Sequence, residues 1–156
     1  MKNLLIGMTL FTLLITSPSF ASTNLEDEPP NSSVKNTFEA QFRTASNIVW
    51  QQENGVAIAT FLLSHSKVEA FFALDGTLLG TARFIKFDEL PLFSITGLSN
   101  DFKQGICHDP IEYTVNGEVY YVLKVDMPTK VLEVKVLPTG ETVVRKTVKI
   151  SHVIVR

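Results

Sequence analysis

Two dipeptides, Asn54-Gly55 and Asn116-Gly117, restrict what this chain can become. The first lies between "NIVWQQ" and "VAIATFLL", the second between "IEYTV" and "EVYYVLKV". A two-residue type I′ turn needs positive φ at both central residues, and Asn-Gly adopts that conformation at little cost. The flanking runs alternate apolar and polar side chains, as a strand with one covered face does. Each dipeptide therefore predicts a β-hairpin. Turns at Ser64-His65-Ser66 and Asp75-Gly76 extend the first hairpin to four strands, over 47–52, 56–63, 67–74 and 77–86. Met127-Pro128-Thr129 and Thr139-Gly140 extend the second in the same way. Strands joined by such short turns form antiparallel meanders.

A helix is predicted ahead of each meander. Val34, Phe38 and Phe42 fall at i, i+4 and i+8, one apolar stripe. Ser33 or Ser32 is placed to cap this helix by accepting from its free first-turn amides. The second helix is expected within 90–104, with Pro91 at its first position and Gly97 weakening it. The halves overlay with Gly55 on Gly117 and Gly76 on Gly140, at offsets of 62 and 64. These offsets differ by an even number, so the inward and outward phase of the strands is kept. Val68, Ala70 and Phe72 then match Leu132, Val134 and Val136. The expected class is α+β: a tandem repeat of one helix plus a four-stranded antiparallel meander, about 34–89 and 90–156. The helices would cover one face of one eight-stranded sheet, or of two four-stranded sheets side by side.

Residues 1–21 read as a secretory signal peptide. Lys2 is followed by an apolar run from Leu4 to Ile15 and a small-x-small site at Ser19-Phe20-Ala21. Cleavage after Ala21 leaves Ser22, and no lipid-bearing cysteine, at the new N-terminus. The polar, acidic, proline-bearing stretch 22–33 is expected to be a disordered leader, and 34–156 a single domain. Lys2 is the only charged residue removed, so the mature chain carries 13 basic and 16 acidic side chains, net −3. With no basic stripe, nucleic acid is not an expected partner. No later segment predicts membrane insertion, so the mature protein is expected in the periplasm or secreted. One cysteine, Cys107, excludes an intrachain disulfide.

Known catalytic patterns are missing. There is no Gly-x-Ser-x-Gly, no His-Glu-x-x-His and no phosphate-cradling glycine loop. Cys107-His108-Asp109 contains nucleophile, base and carboxylate, but neighbours in sequence rarely converge on one reacting atom. This stretch reads as a loop with a stray thiol. His65 and His152 have no metal-ligand spacing. No enzyme activity, metal or cofactor is expected.

The alternation divides the sheet residues into two faces. Val68, Ala70, Phe72 and Leu74 are expected under the helices, with Ala57, Ala59, Phe61, Ile48 and Trp50. The opposite face receives Ile58, Thr60, Glu69, Phe71, Tyr120, Val122 and Lys124. Apolar side chains among charges on a helix-free face mark a contact surface, and Phe71 is expected to stand there as an exposed anchor. On this reading Phe71→Ala weakens binding and leaves stability unchanged, whereas Phe72→Ala unfolds the domain.

"VKNTFEAQF", "ASNIVW", "ATF", "VEAFFALDGTLL" and "ELP", followed by a second copy, resemble the secreted β-lactamase-inhibitor-like, PepSY-like proteins. The likeness covers about 34–150 and rests on Phe38, Asn47-Ile48-x-Trp50, Phe61, Phe72 with Asp75-Gly76, and Leu90-Pro91. The second copy departs from it, with no tryptophan and Pro138 before Thr139. The resemblance implies tandem helix-plus-sheet repeats with a concave sheet surface and a binding or inhibitory role in the periplasm. The expected function is thus a non-catalytic module that binds an unidentified envelope protein or peptide. A homodimer burying the same face is one form of that reading. A small-molecule or metal-ion carrier with a pocket between helices and sheet is the alternative.

Overall fold

The structure is a computed structural model that describes Pro29 and residues 31–150. The expected signal peptide, most of the expected leader and His152 lie outside the described residues. Helix α1 (Ser32–Gln41) precedes strands β1 (Ser46–Glu53), β2 (Val56–Leu63), β3 (Ser66–Ala73) and β4 (Leu78–Phe84). A 3-10 turn (Phe87–Glu89) leads into α2 (Leu92–Asp101). Then follow β5 (Ile106–Val115), β6 (Glu118–Met127), β7 (Lys130–Val136) and β8 (Thr142–Lys149). All strands join one antiparallel sheet in sequence order. The alternative of two separate sheets is excluded by the β4–β5 pairing, from Gly80 opposite Val115 to Phe84 opposite Ile111.

Turn chemistry sets the registers. Asn54-Gly55 and Asn116-Gly117 hold positive φ at both positions, and Ser64-His65 does so without glycine. Asp75 Oδ1 accepts from the Thr77 N–H at 2.8 Å and closes the β3–β4 turn. The N-cap of α1 is Asn31, whose side chain accepts from the Val34 amide, rather than either expected serine. The three consecutive residues are equally good caps; Asn31 also donates from Nδ2 to the Leu74 carbonyl, which ties it to the β3–β4 turn. Leu74 is consequently an exposed turn residue, not part of the helix-facing set. In α2, Pro91 stands at the N-cap, one position before the expected place.

The stretch Cys107-His108-Asp109-Pro110 is not a loop but part of β5. The register slips between His108 and Ile111, and Asp109 has φ +52°. The bulge accommodates Pro110, which has no amide to give to a ladder, and the Pro110 carbonyl instead accepts from Ile85. β1 slips likewise between Ser46 and Val49, where Asn47 has φ +54°.

Two cores form under the helices. Under α1, Val34 and Phe38 meet Trp50, Ala57, Ala59, Phe61, Val68, Ala70 and Phe72. Phe38 is the hub, with ring centroids 5.1 Å from both Trp50 and Phe61. Under α2 the core is mostly aliphatic: Leu98, Leu123, Val125, Leu132, Val134 and Val136, with Tyr121. Both helices are seated on a turn glycine. Gly76 touches the Ser33 carbonyl, and Gly140 touches that of Phe93. Gly97 fits so closely on Gly140 that a Cβ there would overlap its backbone. Between the two cores the same face is polar, with Arg83 on Glu112 at 3.0 Å and on Glu89 at 3.8 Å.

Candidate binding face

The face without helices has the reverse layout, apolar where β4 meets β5 and charged outside. Pairing places Ile58 opposite Phe71, Thr60 opposite Glu69, Tyr113 opposite Tyr120 and Val122 opposite Ile111 and Lys135. Phe71, Ala82, Tyr113 and Val122 form one buried cluster, with Val56, Ile58, Leu79, Ile111 and Tyr120 half-buried around it. The small side of β4 allows this. Phe71 lies opposite Gly80, and Tyr113 opposite Ala82, so large side chains of β3 and β5 close over the strand between them. Tyr113 and Tyr120 stack at 5.3 Å with rings 10° apart. The Lys135 ammonium sits 4.1 Å from the Tyr120 ring centroid, within cation–π range.

Four of the seven expected residues, Ile58, Phe71, Tyr120 and Val122, are thus brought into one cluster from β2, β3 and β6. Two of them differ from expectation in exposure. Phe71 is 5% exposed and Val122 4%, so neither stands free as an anchor. They support the surface, and the half-exposed Ile58, Ile111 and Tyr120 present it. Thr60, Glu69 and Lys124 lie outside the apolar cluster. Glu69 pairs with Lys67 at 3.2 Å, and Lys124 with Asp109 at 3.1 Å. Arg145 approaches Glu133 at 3.8 Å.

Tyr113, Ala82 and Ile111 were not among the expected residues. Hairpin symmetry about Asn116-Gly117 makes Tyr113 the partner of Tyr120, and that signal was available in the sequence. The pairing of β4 with β5, which brings Ala82 and Ile111 into place, had no local sequence mark.

The outer corner of this face carries the one histidine with a structured environment among the described residues. His108 Nδ1 lies 3.1 Å from Asp109 Oδ2. Nε2 lies 3.1 Å from Asp126 Oδ2 but off the line of a hydrogen bond, so the contact is an ion pair when the imidazole is protonated. Asp126 chiefly, and Asp109 with it, raise the His108 pKa above its ordinary value, against a desolvation cost. Lys124 and then His108 lower that of Asp109. Burial, with Glu69 nearby, pushes the Tyr113 hydroxyl up to about 12. Cys107 is on the helix side, where burial raises its thiol pKa; a thiol held protonated is a poor nucleophile.

Among the described residues, no three His, Cys, Asp or Glu side chains are grouped to hold a metal. None of their helices is long and apolar enough to cross a membrane. A groove of about 460 Å³ runs between α1 and β1, lined by Lys35, Phe38, Glu39, Ile48 and Trp50.

No family model matches the chain, and no curated protein matches it. Solved structures share its fold. A BLIP-like protein from Bacteroides fragilis is 17% identical, with 80% of this chain covering 90% of that one at a TM-score of 0.70. A DUF2874 family protein from Bacteroides ovatus is 19% identical, covering 81% and 92%, also at 0.70. A protein from Bacteroides eggerthii, provisionally named as periplasmic, is 18% identical, covering 77% and 88%, at 0.67.

Proposed function

We propose that this chain is a non-catalytic binding module of the periplasm that takes a protein or peptide on its helix-free sheet face. The observation that carries the reading is the apolar cluster at the centre of that face. Aromatic and branched side chains from β2 to β6 meet there, no helix covers them among the described residues, and paired charges surround them. An apolar centre within a polar rim is the usual anatomy of a protein interface. The predicted signal peptide and the shared fold with a protein named as periplasmic support the location. Restraint of an envelope enzyme is the form of binding that the β-lactamase-inhibitor-like resemblance suggests, and it goes with the same face.

The test is to recover the mature protein from its own envelope with whatever it holds, beside Tyr120→Asp and Ile58→Asp. Both variants change half-exposed side chains and are expected to keep the fold. Loss of one specific companion in both supports the reading. A companion retained in both contradicts it.

A further inference from the structure

Charge is unevenly spread around the apolar cluster of the helix-free face. In an antiparallel sheet, directly opposed residues share a face. Val122 of the cluster lies opposite Lys135, and Lys124 opposite Glu133. Lys135 in turn lies opposite Val143, and Glu133 opposite Lys146. All of these stand on the helix-free face. So does Arg145, the extra residue of the β8 bulge, because it reaches Glu133 at 3.8 Å. On β7 and β8 this face therefore holds Lys135, Arg145 and Lys146 against a single carboxylate, Glu133. On the other side of the cluster the balance is reversed. Glu53 opposite Val56 and Glu69 opposite Thr60 share the face with Lys67 opposite Leu62.

Two of the three cations are left without a counter-charge. Glu133 is taken by Arg145. Lys124 and Lys67 have their own carboxylates, Asp109 and Glu69. Lys135 and Lys146 pair with no carboxylate among the described residues. Lys146 is exposed. Lys135 is half-buried and rests on the Tyr120 ring, 4.1 Å from its centroid. A cation–π contact is weaker than a charge-assisted hydrogen bond to a carboxylate. The Lys135 ammonium is thus held at the border of the apolar cluster with its strongest kind of partner still to be met. Strands lie about 4.8 Å apart, so a carboxylate above β7 is within a side chain's reach of an apolar residue above β6.

We propose that the partner of this face presents an acidic apolar segment, with apolar side chains over the cluster of Ile58, Ile111 and Tyr120 and carboxylates over Lys135 and Lys146. The inference rests on the helix-free face being the binding face. It adds the chemistry and the direction of what binds there: apolar toward β2, acidic toward β8. A protein segment fits better than an evenly anionic surface such as a phospholipid membrane, because the β1–β3 side of the same face carries an excess of carboxylate. Charge complementarity of this kind selects partners and speeds their encounter.

The experiment is a selection of displayed random peptides on the secreted chain, followed by affinity measurements on the recovered peptides at low and high salt. Peptides that join Asp or Glu to Phe, Leu or Trp are expected, bound more weakly at high salt. Lys135→Glu/Lys146→Glu is expected to weaken them at least ~tenfold, and to select basic apolar peptides of its own. Lys135→Gln/Lys146→Gln should give a smaller loss, and keeps the test decisive should the reversed pair unfold. Ile58→Ser and Tyr120→Ser, which add no charge, should weaken the same peptides. Apolar peptides lost in the serine variants but indifferent to both lysine variants overturn this inference and leave the binding face standing. Peptides indifferent to the serine variants contradict the binding face and this inference with it. Recovery of no peptide overturns the inference. So does lysine-dependent binding to phosphatidylglycerol vesicles that displaces the peptides, which would put a membrane in the partner's place.

Discussion

Phe71 and Phe72 are neighbours in β3 and serve opposite faces of the same sheet. Phe72 is 0% exposed, under α1, with ring centroids 6.3 Å from Phe38 and 6.1 Å from Trp50. Phe71 is nearly as buried, yet no helix lies over it among the described residues; its cover comes from Tyr113, Val122 and the half-buried residues around them. The difference is one of construction. The helix side is sealed by a second layer. The other side closes over the small residues Gly80 and Ala82 and leaves Ile58, Ile111 and Tyr120 partly in water. A helix-free face can thus be packed firmly enough to keep a shape and still present apolar surface.

Four measurements break or sharpen that comparison. The largest effect is expected from Phe72→Ala. Removing a ring from a sealed aromatic core should cost about 3–5 kcal/mol by chemical denaturation. Phe71→Ala should cost less, about 2–3 kcal/mol, because water can reach part of the gap. A loss no greater than that of an ordinary surface substitution, about 0.5 kcal/mol, would show that the open face is not packed. Third is Gly97→Ala in α2. In an exposed helix this change usually stabilises by up to about 1 kcal/mol. Here the added Cβ meets the Gly140 backbone, so a loss of about 1–3 kcal/mol is expected. A gain would mean that α2 is loosely seated.

The smallest effect concerns His108 at the corner of the open face. Its folded pKa is raised by Asp126 first and by Asp109. The contribution is therefore fully present below the unfolded value of about 6.5 and is lost as pH rises through the folded pKa. The imidazole is more than a third exposed, which keeps the effect under about 1 kcal/mol. Melting temperatures of wild type and His108→Gln should converge as pH rises from 6. Parallel curves would show that the two carboxylates do not hold the imidazolium.

Much of this architecture was legible because it is local. Asn54-Gly55 and Asn116-Gly117 determine their hairpins through backbone conformation, and alternation in β2 and β3 assigns Ala57, Ala59, Phe61, Val68, Ala70 and Phe72 to one face. The match of Val68, Ala70 and Phe72 with Leu132, Val134 and Val136 follows from phase alone, and all six are buried. The observed element order, one helix and four strands twice over, fits the internal repeat. What could not be read depends on distant neighbours. The choice of Asn31 over two adjacent serines rests on a bond to Leu74, 43 residues away. The place of Pro110 inside a strand depends on a bulge opposite β6. The burial of Phe71 depends on Gly80 and Ala82 from one strand and on Tyr113 from the next. Alternation showed which way Phe71 points but carried no information about how much of it would be covered.

The most direct test of the proposed binding face is site-specific photo-crosslinking in the envelope of the living cell. A photoreactive side chain is placed in turn at Thr60, Ile58, Tyr120 and Lys124 on the helix-free face, and at Lys35, Glu39 and Thr96 on the helices. One common adduct from the sheet positions, weak or missing from the helix positions, is the predicted result. An adduct formed from the helix positions alone would contradict the account.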